Sequence, residues 1–255
     1  MTQQSTVVDQ THYFNEIAEQ YDAVRGTEIW PSLRETIHAV ADTSRTVVDV
    51  ATGTGLFSVR LAQQGFHVIG VDQNPCMLAR AIRKAGREGC PFRGVLGAAE
   101  GLPLRSESVS VLLSTNAIHH FRLIAHFEEV VRVLRSGGHY VVYARFREQN
   151  ARSIWGQLFP GFSEKDTRLY NPEDFQRIPE ECSELTLESL EELAFQKPFS
   201  HESLLWSARQ RKYSTFAMYG EAEFWSAFAR FRSRLADFKE DFYVAEIGRL
   251  IFRKA

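Results

Sequence analysis

The sequence predicts an α/β protein of the doubly wound, Rossmann-like kind. Its expected frame is a seven-stranded, mostly parallel sheet with helices on both faces and an antiparallel last strand, plus an N-terminal helical cover and a C-terminal lid insertion. Three observations predict it. Between about residues 46 and 146, short β-branched runs alternate with amphipathic helical stretches, the pattern of a parallel sheet covered on both faces. The first run leads directly into a turn of small residues, Ala51-Thr52-Gly53-Thr54-Gly55. No linker rich in Pro, Gly or Ser, and no internal repeat, divides the chain, so one domain with an embellished C-terminal third is the simplest partition.

In chain order, Phe14, Ile17, Ala18 and Tyr21 mark one face of a first helix, and Leu33, Ile37 and Val40 mark a second. Runs at 46–50, 67–72, 92–96, 109–114 and 140–144 supply five strands. Between them, 56–64 reads as a helix closed by Gly65, and Asn74-Pro75 supplies the N-cap and first-turn proline of a helix running to about residue 86. Phe127, Val130, Val131 and Leu134 recur at helical spacing, with Gly137-Gly138 as the expected stop. Downstream, Asn171-Pro172 opens another helix, 185–199 is extended in character, Phe224, Phe228, Phe231, Leu235 and Phe238 form a helical stripe, and 242–252 reads as a closing strand. The expected division is an N-terminal cover (1–45), a cofactor-binding core (46–146), a substrate lid with the sixth strand (147–220), and a last helix and strand (221–255).

Hydrophobic residues make up 44% of the 255 positions and charged residues 24%, which allows a real core and argues against disorder. A net charge of −2 gives no general pull toward phosphate backbones or anionic membranes, so nucleic acid is not a favoured partner. The first ten residues are polar, and no apolar run approaches membrane length, from which a cytoplasmic protein, monomer or homodimer, is expected. Cys76, Cys90 and Cys182 are an odd set at wide spacing. They suit a reducing compartment as buried small hydrophobes, and no metal site is expected.

Chemistry concentrates in the strand, turn and helix of 47–56. Gly53 and Gly55 let the backbone approach a ligand, and the helix that follows offers free N–H groups. A dinucleotide fingerprint would require a third glycine where Ser58 stands, and Asp49 would repel a pyrophosphate. Beside the amino group of a methionine moiety the same carboxylate attracts, directly or through water, which favours S-adenosylmethionine (SAM) over NAD. Asp72, at the end of the second strand, suits two ribose hydroxyls, although an acid before Asn74-Pro75 also caps a turn.

Taken in order, Asp49-Val50-Ala51-Thr52-Gly53-Thr54-Gly55, Val71-Asp72, Ala99-Glu100-Gly101-Leu102-Pro103, Ser114-Thr115-Asn116-Ala117-Ile118-His119-His120-Phe121 and Arg132-Val133-Leu134-Arg135-Ser136-Gly137-Gly138 resemble the successive motifs of class I SAM-dependent methyltransferases. The nearest resemblance is to the group that includes quinone-biosynthesis and trans-aconitate methyltransferases, which the segment Phe14-Asn15-Glu16-Ile17-Ala18-Glu19-Gln20-Tyr21-Asp22 shares. It implies that Asp49, Ala51, Gly53 and Gly55 surround the methionine part of SAM, that Asp72 meets the ribose, and that Gln73 and Met77 lie against ribose and adenine. It further implies Ala99 at the adenine edge, Asn116 near the sulfonium, and S-adenosylhomocysteine (SAH) as product. Two positions depart from the pattern: Ala51 replaces the first glycine of the turn, and Ala98 replaces an acid that commonly receives the adenine amino group, a contact that Glu100 is then placed to take over. Tyr21 and Arg25 fall on a segment that closes over the cofactor in relatives, where Arg25 is either a carboxylate partner or an ordinary surface arginine.

His119 and His120 follow the fourth strand at its carboxyl end, where open α/β sheets bind ligands, and imidazole titrates near neutrality. They are the candidates for removing a proton from the acceptor or orienting it; a structural His-His pair is the competing reading. Aromatic residues of 147–220, Trp155, Phe159, Phe162 and Tyr213 among them, suit an apolar lid or an ordinary core. Arg209, Arg211 and Lys212 suit an acidic group or a solvated helix face. The expected reaction is methyl transfer from SAM to a small, partly apolar organic acceptor. The rivals are a tRNA base methyltransferase, a non-catalytic SAM or SAH binder, and, more remotely, a NAD dehydrogenase.

Overall fold

The structure, a computed structural model, describes residues 13–15, 18–19, 21–24, 26–41, 43 and 45–255. Ile17 and Arg25 lie outside the described residues. Among the described residues, seven strands form one sheet: β1 (Thr46–Val50), β2 (His67–Asp72), β3 (Phe92–Leu96), β4 (Val109–Thr115), β5 (Leu134–Ala144), β6 (Leu185–Pro198) and β7 (Phe242–Lys254), in the order β3-β2-β1-β4-β5-β7-β6. Strands β1 to β5 pair in parallel, and β7 runs antiparallel to both β5 and β6. The chain reverses its strand order between β1 and β4, the place where an open α/β sheet leaves a crevice beyond its strand ends.

The period of two along each central strand sorts its side chains into two cores. Val48 and Val50 of β1, Leu112 of β4, and Tyr140 and Val142 of β5 enter one cluster, where Phe127 and Val130 of a helix meet them. Val47, Val111, Leu113, Val141 and Tyr143 enter the other. There they are covered by Leu33 and Ile37 of helix α1 (Trp30–Val40) and by Leu61 of helix α2 (Ser58–Gln63). Near-continuous apolar strands are the consequence of burying both faces. Helix α3 (Pro75–Glu88) begins as expected: the Asn74 side chain accepts the N–H groups of Cys76 and Met77, at 3.0 Å each. We expect Asn74→Ala to cost about 1 kcal/mol, seen as a lower urea midpoint with unchanged slope.

Helix α4 (Leu123–Val133) departs from its expected end. It stops at Val133, and buried Leu134 already pairs with Val109 as the first residue of β5. The expected stop at Gly137-Gly138 falls inside the strand, where the pairing register shifts between Val109 and Val111 and Gly137 takes a φ of 74°. The cysteines also differ from expectation, since Cys76 is exposed and Cys90 half-buried, leaving Cys182 as the buried one.

Over the carboxyl ends of the strands sits a third, aromatic cluster built from both segments that interrupt the sheet order. Trp155, Phe159 and Phe162 come from the chain between β5 and β6; Phe216 and the stripe Phe224, Phe228, Phe231 and Leu235 come from the chain between β6 and β7. The stripe lies on helix α6 (Glu221–Asp237), with helix α5 (His201–Arg209) beside it. The last long helix is therefore part of the cap rather than of the sheet's own cover. Lys212 is not on a solvated face: it is buried over the Trp206 ring, and burial pulls its amine down to about 8.

Candidate active site

Between the sheet and the cap lies a cavity of about 360 Å³, within the range of small-ligand sites. Its sheet half is walled by Ala51 and Gly53 after β1, by Asp72, Gln73 and Met77 after β2, and by Ala99, Asn116, His119 and His120 further on. Tyr21 lies on the wall from the N-terminal side. Ten of the thirteen residues expected at the site thus share one cavity. Arg25 is outside the described residues, and Asp49 and Gly55 are not on the wall.

The turn after β1 explains these differences. At Gly53 (φ 57°) an added Cβ would meet nothing within 4 Å among the described residues, so the Cα side of this turn is open. At Gly55 (φ 72°) a Cβ would stand 2.9 Å from that of Ala81 in α3, so close packing of the turn on that helix requires glycine here. Ala51 holds a φ of 57°, a left-handed conformation that costs a residue with a Cβ roughly 1–2 kcal/mol. Ala51→Gly is expected to stabilise by roughly 0.5 kcal/mol after glycine's larger unfolded-state entropy is subtracted. In chemical denaturation Ala62→Gly, in the last turn of α2, should instead lose up to about 1 kcal/mol.

Asp49 stands behind the turn, buried. Its Oδ2 accepts the hydroxyls of Thr52, at 3.0 Å, and of Ser58, whereas its Oδ1 is buried and has no hydrogen-bond partner among the described residues. Burial pushes its carboxyl up to about 7, with the neighbouring Asp72 adding to the rise and the Ser58 and Thr52 hydroxyls opposing it. Asp72 accepts the N–H groups of Gly53 (2.7 Å) and Asn74 (2.8 Å), which ties the β1 turn to the start of α3. Burial raises the pKa of Asp72, opposed by those two N–H groups.

The wall formed by 97–104 is fixed from below. His126 of α4, fully buried, bridges the Ala99 carbonyl (2.9 Å) and the Tyr140 hydroxyl (2.8 Å). Burial lowers its pKa to about 4, so the ring is neutral. Glu129 accepts the Leu102 N–H at 2.7 Å, and Arg132 donates to the carbonyls of Leu102 and Leu104. Glu100, on the cavity wall, accepts the Arg122 N–H at 2.7 Å through one oxygen. Asn116 is held in a left-handed conformation (φ 52°), its N–H on the Tyr143 carbonyl at 2.7 Å. His119 and His120 form a 3₁₀ turn after β4, their rings 4.1 Å apart between centroids, with Phe14 edge-on to His120. On the N-terminal side Asp22 is bound by the Thr54 hydroxyl and the Lys84 ammonium, fixing the Tyr21–Val24 turn over the β1 loop.

Comparison with known proteins adds to this geometry. Residues 48–142 match the family model of a methyltransferase domain. The matched residues run from β1 into β5. An uncharacterized methyltransferase of Bacillus subtilis, YodH, is 33% identical over 92 residues, which cover 36% of this chain and 40% of that protein. The chain thus matches well under half the length of that relative. A Bacillus halodurans C-125 protein described as a methyltransferase superposes with a TM-score of 0.63 at 21% identity, covering 88% of this chain and 99% of its own. Geranyl diphosphate C-methyltransferase of Streptomyces coelicolor A3(2), solved with Mg²⁺, geranyl diphosphate and SAH, gives 0.56 at 16% identity, covering 88% and 79%. At these identities the structural likeness speaks for the fold, and the cavity walls supplied by the turns after β1, β2 and β4 fall within the residues that the family model matches.

The cap half lies outside the matched residues. Its wall includes Arg145, directly after β5, with Asn150, Trp155, Asp166 and Lys197. Most charges there are matched: Lys197 with Glu28 at 2.7 Å, Arg168 with Asp166 at 2.8 Å, and Arg152 with Glu246 at 3.0 Å. Sequence reasoning missed Arg145 and Asn150, which stand in no motif. The available signal was position alone, since Arg145 directly follows a strand predicted to stop at residue 144 on the ligand-binding edge.

Proposed function

We propose that this protein transfers a methyl group from SAM to a small, partly apolar organic acceptor held under the aromatic cap, releasing SAH. One observation carries the reading: the open Gly53 turn, Asp72 and Asn116 share a single cavity with the aromatic cap, so donor and acceptor have adjoining places. The residues present fit the cofactor. The unpartnered buried Oδ1 of Asp49 suits an ammonium, directly or through water, the open space at Gly53 suits a close-lying chain, and Asp72 at the end of β2 suits a ribose. When bound, SAM supplies a methyl group already activated by its sulfonium.

The protein's own part is alignment and exclusion of water. The turn after β1 and the loop held by His126 hold the nucleoside, Tyr21 closes the mouth, and the cap aromatics shield the acceptor. His119 takes up the acceptor's proton where one must leave. We expect His119→Ala to lower turnover about a hundredfold while leaving the SAH dissociation constant unchanged; equal turnover removes this role. In this reading the acceptor belongs with the small metabolites taken by the quinone-biosynthesis and trans-aconitate group, and the protein works in the cytoplasm. Incubation with methyl-labelled SAM and a metabolite extract, followed by mass spectrometry, is expected to reveal a labelled small molecule. Label in tRNA alone, or in nothing, defeats the proposal.

A further inference from the structure

Two buried hydrogen-bond donors in the cap have no partner among the described residues. Asn150 and Trp155 are 4% and 3% exposed, and neither Asn150 Nδ2 nor Trp155 Nε1 meets an acceptor. Both residues wall the cavity. Gly156 brings them together: a Cβ there would stand 2.3 Å from the Asn150 carbonyl oxygen, so the turn carrying Trp155 packs directly on the turn carrying Asn150. A donor left unpaired in a protein interior costs about 1–3 kcal/mol, and an acceptor that enters the cavity and displaces the contacts covering these two N–H groups relieves that cost.

A cation stands with them. Arg145 walls the same cavity and makes no ion pair or hydrogen bond among the described residues; the nearby charge it feels is that of Glu28, which Lys197 already pairs. Asp166 is matched by Arg168, and Glu246 shares Arg152 with Glu148 and Glu192, so Arg145 is the cation on the cap wall with no ion pair of its own among the described residues. That charge and the two donors match a single negative charge spread over two oxygens.

Resting on the methyl-transfer reading, we infer that the acceptor is a carboxylate, its anionic end held by Arg145 with Asn150 Nδ2 and Trp155 Nε1, and its apolar body against the cap aromatics. A planar carboxylate offers each donor a lone pair and pairs well with guanidinium. A phosphate dianion would leave a buried negative charge unmatched.

The test is calorimetry on the full chain saturated with SAH, using 3-phenylpropanoate, its neutral counterpart 3-phenylpropan-1-ol, and phenyl phosphate. The carboxylate is expected to bind at least about tenfold more tightly than either. Arg145→Gln, and Trp155→Phe, which keeps a ring and removes the N–H, should each erase most of that preference without changing the affinity for SAH or the alcohol. Equal binding of carboxylate and alcohol, tighter binding of the phosphate, no saturable carboxylate binding, or a preference surviving both variants overturns the inference. SAH binding with no carboxylate preference leaves the methyl-transfer reading standing. Failure to bind SAH overturns both.

Discussion

Gly53→Val is expected to raise the SAH dissociation constant at least about a hundredfold, through the loss of backbone approach in the turn after β1. The glycine sits at a φ of 57° with open space where a Cβ would project, so a branched side chain fills the place we assign to the cofactor. It also carries a conformational penalty of roughly 1–2 kcal/mol. Strain alone must be separated from occlusion, and Gly65 serves as the control. It has a φ of 82°, with nothing within 4 Å of its added Cβ, and lies away from the cavity in the turn between α2 and β2. Gly65→Val is expected to lower the melting temperature by a similar amount and to bind SAH as the parent does. If Gly53→Val binds SAH undiminished in calorimetry, the assignment of this turn to the cofactor is wrong.

The second large effect concerns Asp49 and pH. Burial lifts its carboxyl from 3.8 to about 7 in the folded protein, so the folded state holds a proton that the unfolded chain releases near pH 4. The sign follows by linkage: the contribution is fully present below pH 4, declines as pH rises toward 7, and is lost above it. A shift of about three pH units corresponds to on the order of 4 kcal/mol. Asp49→Asn cannot ionise, so its stability should not fall across this window. At pH 8 it is expected to exceed the parent by on the order of 2 kcal/mol, since its buried amide still lacks a partner for one N–H. The same substitution should weaken SAM binding, because an amide N–H faces the ammonium that the carboxylate would attract. In the parent, SAM affinity should rise between pH 6 and 8 with proton release, detectable as a heat that depends on the buffer's ionisation enthalpy. Parallel stability profiles for parent and variant would show that Asp49 does not titrate in this range.

The parallel core was legible because each central strand buries both faces, which forces the β-branched runs that mark 46–50, 67–72 and 109–114, and because Asn74-Pro75 states its helix start in two residues. The end of α4 was not legible. Gly137-Gly138 reads as a stop, yet the cost of leaving Leu134 unpaired beside β4 decides the boundary, and the glycine takes up a register shift instead. Gly55 misled for a related reason: one left-handed glycine looks like another in sequence, and only the neighbour at Ala81 reveals that its missing Cβ serves a helix contact. The cap was legible as aromatic density, but not as one cluster drawn from chain on both sides of β6.

From residue order alone come the strand-turn-helix frame, the acid behind the turn and the acid after β2, since these depend on local periodicity and on backbone chemistry a few residues long. Tertiary structure alone decided which side chains share the cavity, that Asp49 sits behind its wall, and that Arg145, Asn150 and Trp155 line one cavity, with two buried donors unpaired among the described residues. Burial, charge matching and hydrogen-bond satisfaction are set by residues distant in the chain, and those are known only once it has folded.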